Sequence, residues 1–589
     1  MTAFVRVFDL LDYQAAKYPQ TNALNEREGK GWKTYSVQLL EARATALAGW
    51  LLTQGLEKGD RVAFVPRGGH ARWMMLDFAC QLAGLTVVPM HPTNTREEAA
   101  FILKEVGARF CWAADAELYQ KYLGALPATV QGYFHWQPDQ PGYFEAWDTY
   151  TLTPETEARV HARKQSVTEN DWLAILYTSG TSGVPKGTCL THKNVCANIQ
   201  SILPILPLHA GDRVLSFLPF SHVFERTSCY AYIAFGAQVY FNSAREALPA
   251  EFAEVRPLLC TSVPRTLEKM YDYLEEQSFQ KNPLKRRLIQ WAMRTGQQFG
   301  KRPMDIWYHW QLFWARFWVL RTWRKALGGK MRYVVVGAAA LRADIARMFS
   351  AAGIQVLTGY GMTEAAPFIS VNRCEPGLNQ FGTVGLAIPG VEIRIDEPNE
   401  SGEGEILVKG PNIMVGYFQR PDLTAETLRG GWLHTGDTGR LIKNRFLEIT
   451  GRKKELFKTT SGVYISPQVL ETHFKTSPFI LQCLVVGFNK PFVSALLVPH
   501  MGMLERWCEA NQIHWTAPQF MIHNIKVIQK MQQEIDQLNA ALPGYQCVRR
   551  FILIETEWTI EQGDLTTSFK LLRDKIATRY QKEIDKLYD

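Results

Sequence analysis

The sequence predicts an α/β protein: a large N-terminal domain of stacked, helix-covered, mostly parallel sheets over residues 1–452, and a small α+β domain over 453–589. Three observations carry this expectation. A glycine-led apolar run occurs twice, GDRVAFVPRG from Gly59 and GDRVLSFLPF from Gly211, at an offset of 152 residues. Each copy passes through a helix-like stretch to a second apolar run, AGLTVVPM around Gly84 and FGAQVYFN around Gly236, again 152 apart. Two matches at one offset suggest a duplicated strand–helix–strand unit. Two βαβ units without shared origin would give the same fold class, since alternating strands and helices imply parallel sheets covered on both faces. Beyond Gly390 the texture changes to short strands separated by turn signals, as in VEIRIDEPNESGEGEILVKG.

Taken in order, the elements exclude several classes. At 589 residues the chain exceeds a lone binding module, and 46% hydrophobic with 21% charged residues exclude a disordered scaffold. The opening MTAFVRVFDLLDYQAAKYPQ lacks the uninterrupted apolar core and cleavage site of a secretory signal. No run of 18 apolar residues predicts a transmembrane helix, while attachment to a membrane surface stays open. The ten cysteines form no C-x-x-C pair and no Cys/His cluster, so they read as reduced thiols of a cytoplasmic protein. MRYVVVGAAA (331–340) and IQVLTGYG (354–361) read as buried strands ending in glycine-rich turns, with the helical ADIARMFSAAG between them. Such turns lie at strand C-terminal ends, where open α/β sheets take ligands. RKK and KTTSG, around 452–462, read as a linker.

The strongest local signal for chemistry is Tyr177-Thr-Ser-Gly-Thr-Ser-Gly-Val-Pro-Lys-Gly187, which follows the apolar WLAIL and precedes TCLTHKNVCANI, expected as a helix. A loop at such a strand-to-helix junction offers closely spaced backbone N–H groups, Ser and Thr hydroxyls and one ammonium, the donors that polyphosphate oxygens need. It is not a Walker A loop, because Pro185 rather than glycine precedes Lys186.

With this loop and, in order, LPFSHVFER (218–226), LGGKMRYVVVGAAAL (327–341), GYGMTE (359–364), GWLHTGD (431–437) and GRKKELFKTTSGVYISP (451–467), the chain resembles the adenylate-forming superfamily. Within it the motifs are most similar to the long-chain fatty acid–CoA ligases, from about residue 20 to the C-terminus. The resemblance implies an N-terminal AMP-binding (adenylation) domain and a mobile C-terminal domain. It also implies a two-step reaction: a fatty carboxylate attacks the α-phosphate of ATP, giving acyl-AMP and pyrophosphate, and the thiol of coenzyme A then displaces AMP. Two anions meet in the first step, so positive charge and oriented donors are required.

By the same resemblance, Thr178, Ser179, Gly180, Thr181, Ser182, Gly183 and Lys186 would bind the β- and γ-phosphates, and Gly337, Ala338 and Ala339 would flank the adenine. In GYGMTE, Gly359, Tyr360 and Gly361 would lie against the adenine, Thr363 on the α-phosphate, and Glu364, with Thr178, on Mg²⁺. Asp437 and Arg452 would hold the ribose and His222 would stand beside the acyl carboxylate. Lys454 matches the hinge, Gly462 the pantetheine channel, and Lys570, in GDLTTSFKLLR, the adenylation lysine. Two departures stand out: Thr566-Thr567-Ser568 lacks the family's usual proline, and GAAAL replaces the commoner GGAPL. Two competing readings stay open. One is a ligase that acts on another carboxylic acid or passes the acyl group to a carrier protein; the other is a catalytically silent membrane-associated fatty-acid-binding protein.

The net charge of +8 is not spread evenly. Residues 281–332 hold thirteen basic residues against one acid, Asp305, a net of +12 that leaves −4 for the rest, and six of the 17 tryptophans. Within this window IWYHWQLFWARFWVL (306–320) is apolar nearly all round a helix, which requires burial in protein or in a membrane interface. A packed helix with a solvated basic face is one reading. Peripheral contact with anionic lipid, on the inner face of the membrane, is the preferred one. Nucleic acid is not expected, since no recognition motif accompanies the basic residues.

Overall fold

The computed structural model describes residues 4–179, 185–279, 283–301, 305–460, 463–559, 562–566 and 570–589. Among them the repeated sequence pattern becomes a repeated hydrogen-bond set. Gly59 and Gly211 both adopt φ 86°, a conformation that favours glycine. Each donates its N–H, at 2.8 Å, to the carbonyl of its distant counterpart, Gly84 or Gly236. Thr86 N donates to Asp60 O at 2.9 Å, and Gln238 N to Asp212 O at 2.8 Å. The two aspartates also accept from the turn before them, from Glu57 N at 2.9 Å and from His209 N at 2.8 Å.

The first copy runs strand Arg61–Val65, helix Ala71–Leu82, strand Thr86–Pro89; the second runs Arg213–Ser216, Val223–Phe235, Gln238–Phe241. Both helices start at a histidine N-cap, His70 and His222.

Each copy seeds one sheet. The seven-stranded sheet runs Gly416–Tyr417, Pro185–Thr191, Trp172–Ser179, Thr86–Pro89, Arg61–Val65, Phe110–Ala113, Gly132–Phe134. It is parallel except at the Pro185–Thr191 end. The nine-stranded sheet is parallel from Gln355–Gly361 through Tyr333–Val336, Leu259–Ser262, Arg213–Ser216 and Gln238–Phe241 to Leu24–Glu28, with antiparallel strands at both edges.

Every residue of helix Val223–Phe235 is buried. Its polar residues are therefore paired: Arg226 bonds Asp77 of the first copy's helix at 2.5 Å, and Tyr230 donates to the same carboxylate. Breaking such a buried pair leaves an uncompensated charge, so it fixes one alignment of the two helices.

Two compact units divide the chain by contact rather than by sequence order. One comprises 1–393, 408–433 and 443–447; the other comprises 394–407, 434–442 and 448–589. The second has its own three-stranded sheet, Ile480–Val486, Val493–Pro499 and Val548–Leu553, and its own core around Leu470, Phe474, Val527 and Met531.

Two local expectations change. Residues Pro185–Thr191 form a strand paired with Trp172–Ser179, and the helix starts only at His192, so the Gly/Ser/Thr loop joins two strands of a hairpin. Thr188, Cys189, Leu190 and Thr191 are all buried, which suits a strand, and Thr191 then caps the helix by accepting from Asn194 N. The stretch expected as a linker instead contains Phe457–Lys458 paired with Tyr464–Ile465; Ile465 is buried in the second unit's core and Phe457 packs on it.

Candidate active site

Three polar side chains meet at the edge of the seven-stranded sheet. Lys186 Nζ donates to Tyr417 Oη at 2.6 Å and lies 3.2 Å from Glu364 Oε1. Tyr417 Oη donates to the same Glu364 oxygen at 2.7 Å, and the ammonium lies 4.2 Å from the Tyr417 ring centroid. Burial, reinforced by the carboxylate, pushes the Tyr417 phenol up, so it stays a neutral donor.

Strand pairing builds this arrangement. Lys186 stands opposite Thr178 in the hairpin, and Tyr417 stands opposite Thr188, which shares a face with Lys186. Ser179 pairs in register with Pro185, while Gly180, Thr181, Ser182 and Gly183 lie outside the described residues.

Glu364 is buried on the short 3₁₀ turn Thr363–Ala365, held by its backbone. Its carbonyl accepts from Met414 N at 2.9 Å. Two fully buried amides clamp the neighbouring carbonyls: Asn412 donates to Ala365 O and Asn198 to Phe368 O, both at 2.8 Å. Thr363 and Tyr360 are half-buried at the end of strand Gln355–Gly361. A Cβ on Gly361 would lie 2.1 Å from Pro367 O, so no side chain fits there, and one on Gly359 would lie 3.1 Å from Ser370 O.

The turn after strand Tyr333–Val336 starts at buried Gly337 and continues through Ala338, at φ 71°, to exposed Ala339. The Phe224 ring stands 3.5 Å from where a Gly337 Cβ would be, bringing the first turn of the His222 helix to this turn. His222 Nδ1 accepts from Phe224 N at 3.2 Å. Burial, with His222, Arg245 and Lys121 nearby, holds the His91 imidazole down to about 4, so it is neutral near pH 7.

In the second unit, buried Asp437 lies 3.0 Å from Arg452 Nε, joining the two residues expected to share one role. Beside them Lys453 Nζ bonds Glu405 at 2.8 Å; burial opposes ionisation of that carboxyl, but the lysine and the Gly436 N–H hold it below the usual range. Lys454 is exposed in the following turn. Lys570 is half-buried and bonds Thr566 at the other end of the loop, whose residues 567–569 lie outside the described residues: Thr566 N donates to Lys570 O at 2.8 Å and Lys570 N to Thr566 Oγ1 at 3.0 Å. Buried Asp564 ties the base of this loop to Arg579 at 2.6 Å. Gly462 lies outside the described residues.

The donors present fit a nucleotide-bound Mg²⁺. Among the described residues no group of three or more His, Cys, Asp or Glu could cage a metal. The site instead offers one buried carboxylate, Glu364, beside an ammonium, with Thr178 opposite that lysine in the hairpin. Mg²⁺ takes one or two carboxylates and completes its shell with water and substrate phosphates.

Sequence reasoning missed Tyr417, Asn198 and Asn412. Tyr417 is 231 positions from Lys186, and nothing in GYFQRPD distinguishes its hydroxyl from that of a turn tyrosine.

A family model described as AMP-binding enzyme matches residues 11–418, and one described as AMP-binding enzyme C-terminal domain matches 455–589. The chain is 30% identical over 560 residues to the long-chain-fatty-acid–CoA ligase FadD15 of Mycobacterium bovis, covering 93% of this chain and 91% of that protein. It is 29% identical over 587 residues to the peroxisomal long chain acyl-CoA synthetase 7 of Arabidopsis thaliana, covering 95% and 81%. Among solved structures, O-succinylbenzoate coenzyme A synthetase (MenE) from Bacillus subtilis, in complex with ATP and magnesium ion, superposes with a TM-score of 0.67 at 20% identity, covering 96% and 98%. With its fold shared across that superposition and its length matched by both models, the chain belongs to the AMP-binding enzyme family.

Proposed function

We propose that the protein is an ATP-dependent long-chain fatty acid–CoA ligase. The observation that carries the reading is the meeting of Lys186 and Glu364, residues 178 positions apart, through Tyr417, with Lys186 on the strand that follows the hydroxyl-rich stretch. The names of full-length relatives at about 30% identity supply the acid and the acceptor.

In this reading Thr178, Ser179, Gly180 to Gly183 and Lys186 bind the β- and γ-phosphates, Thr363 bonds the α-phosphate, and Tyr360 with the 337–339 turn holds the adenine. Mg²⁺, when bound at Glu364 and Thr178, supplies charge neutralisation on the phosphates. The Asp437 carboxylate accepts from both ribose hydroxyls, with Arg452 as its partner. His222 orients the fatty carboxylate, which lacks a leaving group until AMP is attached. The C-terminal domain, from residue 453, turns about Lys454. In one orientation it delivers Lys570 to the charge developing between carboxylate and α-phosphate. In the other, Gly462 leaves a channel for the pantetheine arm of coenzyme A, whose thiol releases AMP. A long chain gains about 0.8 kcal/mol per buried CH₂ and is drawn from a bilayer rather than from water. The segment 281–332 is the part that meets the anionic membrane, and the enzyme works on its cytoplasmic face. No helix among the described residues is long and apolar enough to cross a membrane.

Incubation with ATP, Mg²⁺, coenzyme A and a mixed panel of carboxylic acids, followed by mass identification of thioesters, tests the activity; long-chain acyl-CoA is the expected product. Lys570→Ala is expected to nearly abolish pyrophosphate release while sparing thioester formation from preformed acyl-AMP, and Gly462→Leu to do the reverse. Unchanged pyrophosphate release in Lys570→Ala would remove that lysine from the mechanism.

A further inference from the structure

The Trp-rich segment divides its side chains between two environments. Helix Pro283–Gln297 packs beside helix Ile306–Ala315, which continues through a π-helical turn, Arg316–Leu320, into Arg321–Ala326. One stripe of this long helix, Tyr308, Leu312, Ala315, Val319, Leu320 and Trp323, is buried in the core of the nine-stranded sheet. That stripe accounts for the fold's need of the helix. The opposite face is apolar as well, and nothing among the described residues covers it: Ile306 is 85% exposed, Trp307 72%, Trp310 59%, Phe313 60% and Trp318 55%.

These rings form one continuous surface. Trp310 and Trp314 centroids are 5.9 Å apart, Trp314 and Trp318 stack at 6.4 Å, and Phe317 meets Trp318 edge-on at 5.2 Å. An exposed apolar patch of this kind marks a surface that is covered in use.

Charge says what covers it. Arg321 lies 5.2 Å over the Phe317 ring, with Lys325 exposed one turn on. Lys285 and Arg287 are exposed near the start of the neighbouring helix. The one acid of the segment, Asp305, is engaged as a helix cap, accepting from Tyr308 N at 2.7 Å. A partner for an aromatic face with an almost purely cationic rim is apolar beneath and anionic at its edge, which describes a bilayer of anionic lipid.

We propose that helix 306–326 docks flat in the headgroup region of an anionic membrane, with its tryptophans and phenylalanines at the acyl boundary and its basic rim on the lipid phosphates. This rests on the ligase reading only for its purpose, collection of a fatty acid, and it deepens the membrane contact proposed above by assigning it to one helix face. A purely electrostatic contact would vanish at high salt, whereas an inserted aromatic face keeps a residual, salt-resistant part.

Flotation of the full chain with vesicles of phosphatidylglycerol and phosphatidylcholine, or of phosphatidylcholine alone, tests the assignment, with tryptophan quenching by lipids brominated near the headgroup end of the acyl chain. The expected result is binding to the anionic vesicles with quenching. A Trp310→Ser/Phe313→Ser/Trp318→Ser variant, altered only at exposed positions, is expected to bind roughly tenfold less or weaker still and to lose the salt-resistant part. An Arg287→Glu/Arg321→Glu/Lys325→Glu variant is expected to lose the preference for anionic lipid. Both should form acyl-CoA from a water-soluble medium-chain acid at the wild-type rate. That assay, run on the wild type, reports failure of the ligase reading separately. The proposal is overturned if the wild type does not float, if the aromatic variant floats undiminished, if brominated lipid does not quench, or if light scattering shows the face closing a dimer that does not bind vesicles.

Discussion

Tyr417 hydrogen-bonds both Lys186 and Glu364 through its hydroxyl, so Tyr417→Phe removes both bonds while keeping the ring against the Lys186 ammonium. Tyr417→Phe is expected to lower apparent Mg²⁺ affinity in pyrophosphate exchange by about 10–100-fold, as loss of an outer-shell partner commonly does, with little change in Tm. Glu225, in the first turn of the His222 helix, makes a different prediction. It is fully buried, accepting from Ser216 at 2.5 Å and from Thr261 at 2.7 Å, and burial raises its carboxyl to about 7. The folded state thus holds this proton more tightly than the unfolded chain, so the stability it contributes is complete below about pH 4.5 and is lost as pH rises to 7. Between pH 5 and pH 8 the wild type should lose up to about 3 kcal/mol more than Glu225→Gln, measured by denaturant unfolding at both values. Lys186 and Glu364 were singled out through motifs that resemble the family's, and the structure brings the two side chains together. Tyr417 and the two clamping asparagines were not, because their roles come from backbone carbonyls and strand neighbours that no local pattern records.

At the scale of elements, the repeated strand–helix–strand unit was legible as a turn followed by an apolar run, and the structure adds its physical basis, a glycine at positive φ and an aspartate that accepts from the turn. The hairpin around the hydroxyl-rich loop was not. TCLTHKNVCANI carries polar residues suited to a helix start, and only pairing with the buried WLAIL run keeps its first residues extended. The 337–341 turn shows a sequence departure absorbed by local strain. Ala338 keeps φ 71°, a region that costs an L-residue roughly 1–2 kcal/mol, partly offset by the smaller chain entropy that alanine loses on folding. Ala338→Gly is therefore expected to stabilise the protein by somewhat less than about 1 kcal/mol in chemical denaturation. Loss of stability would mean that the alanine methyl makes a contact worth more than its strain.

Over the whole molecule, the division into two compact units, each with its own core, predicts departure from two-state unfolding. Scanning calorimetry should give a calorimetric enthalpy larger than the van't Hoff enthalpy, and equality of the two would mean that the units melt as one. The distribution of charge acts at this scale too. A chain whose bulk carries −4 and whose one segment carries +12 concentrates its positive charge in that segment, the part that an anionic surface would attract. The two histidines at the starts of the repeated helices add a last consequence. His70 and His222 occupy equivalent places in the two repeats, and the proposed function puts only His222 beside the acyl carboxylate. On that reading the molecule carries its own reference probe: an imidazole signal expected to change at 222 and to stay constant at 70 when fatty acid is added would report occupancy, free of any general drift in the fold.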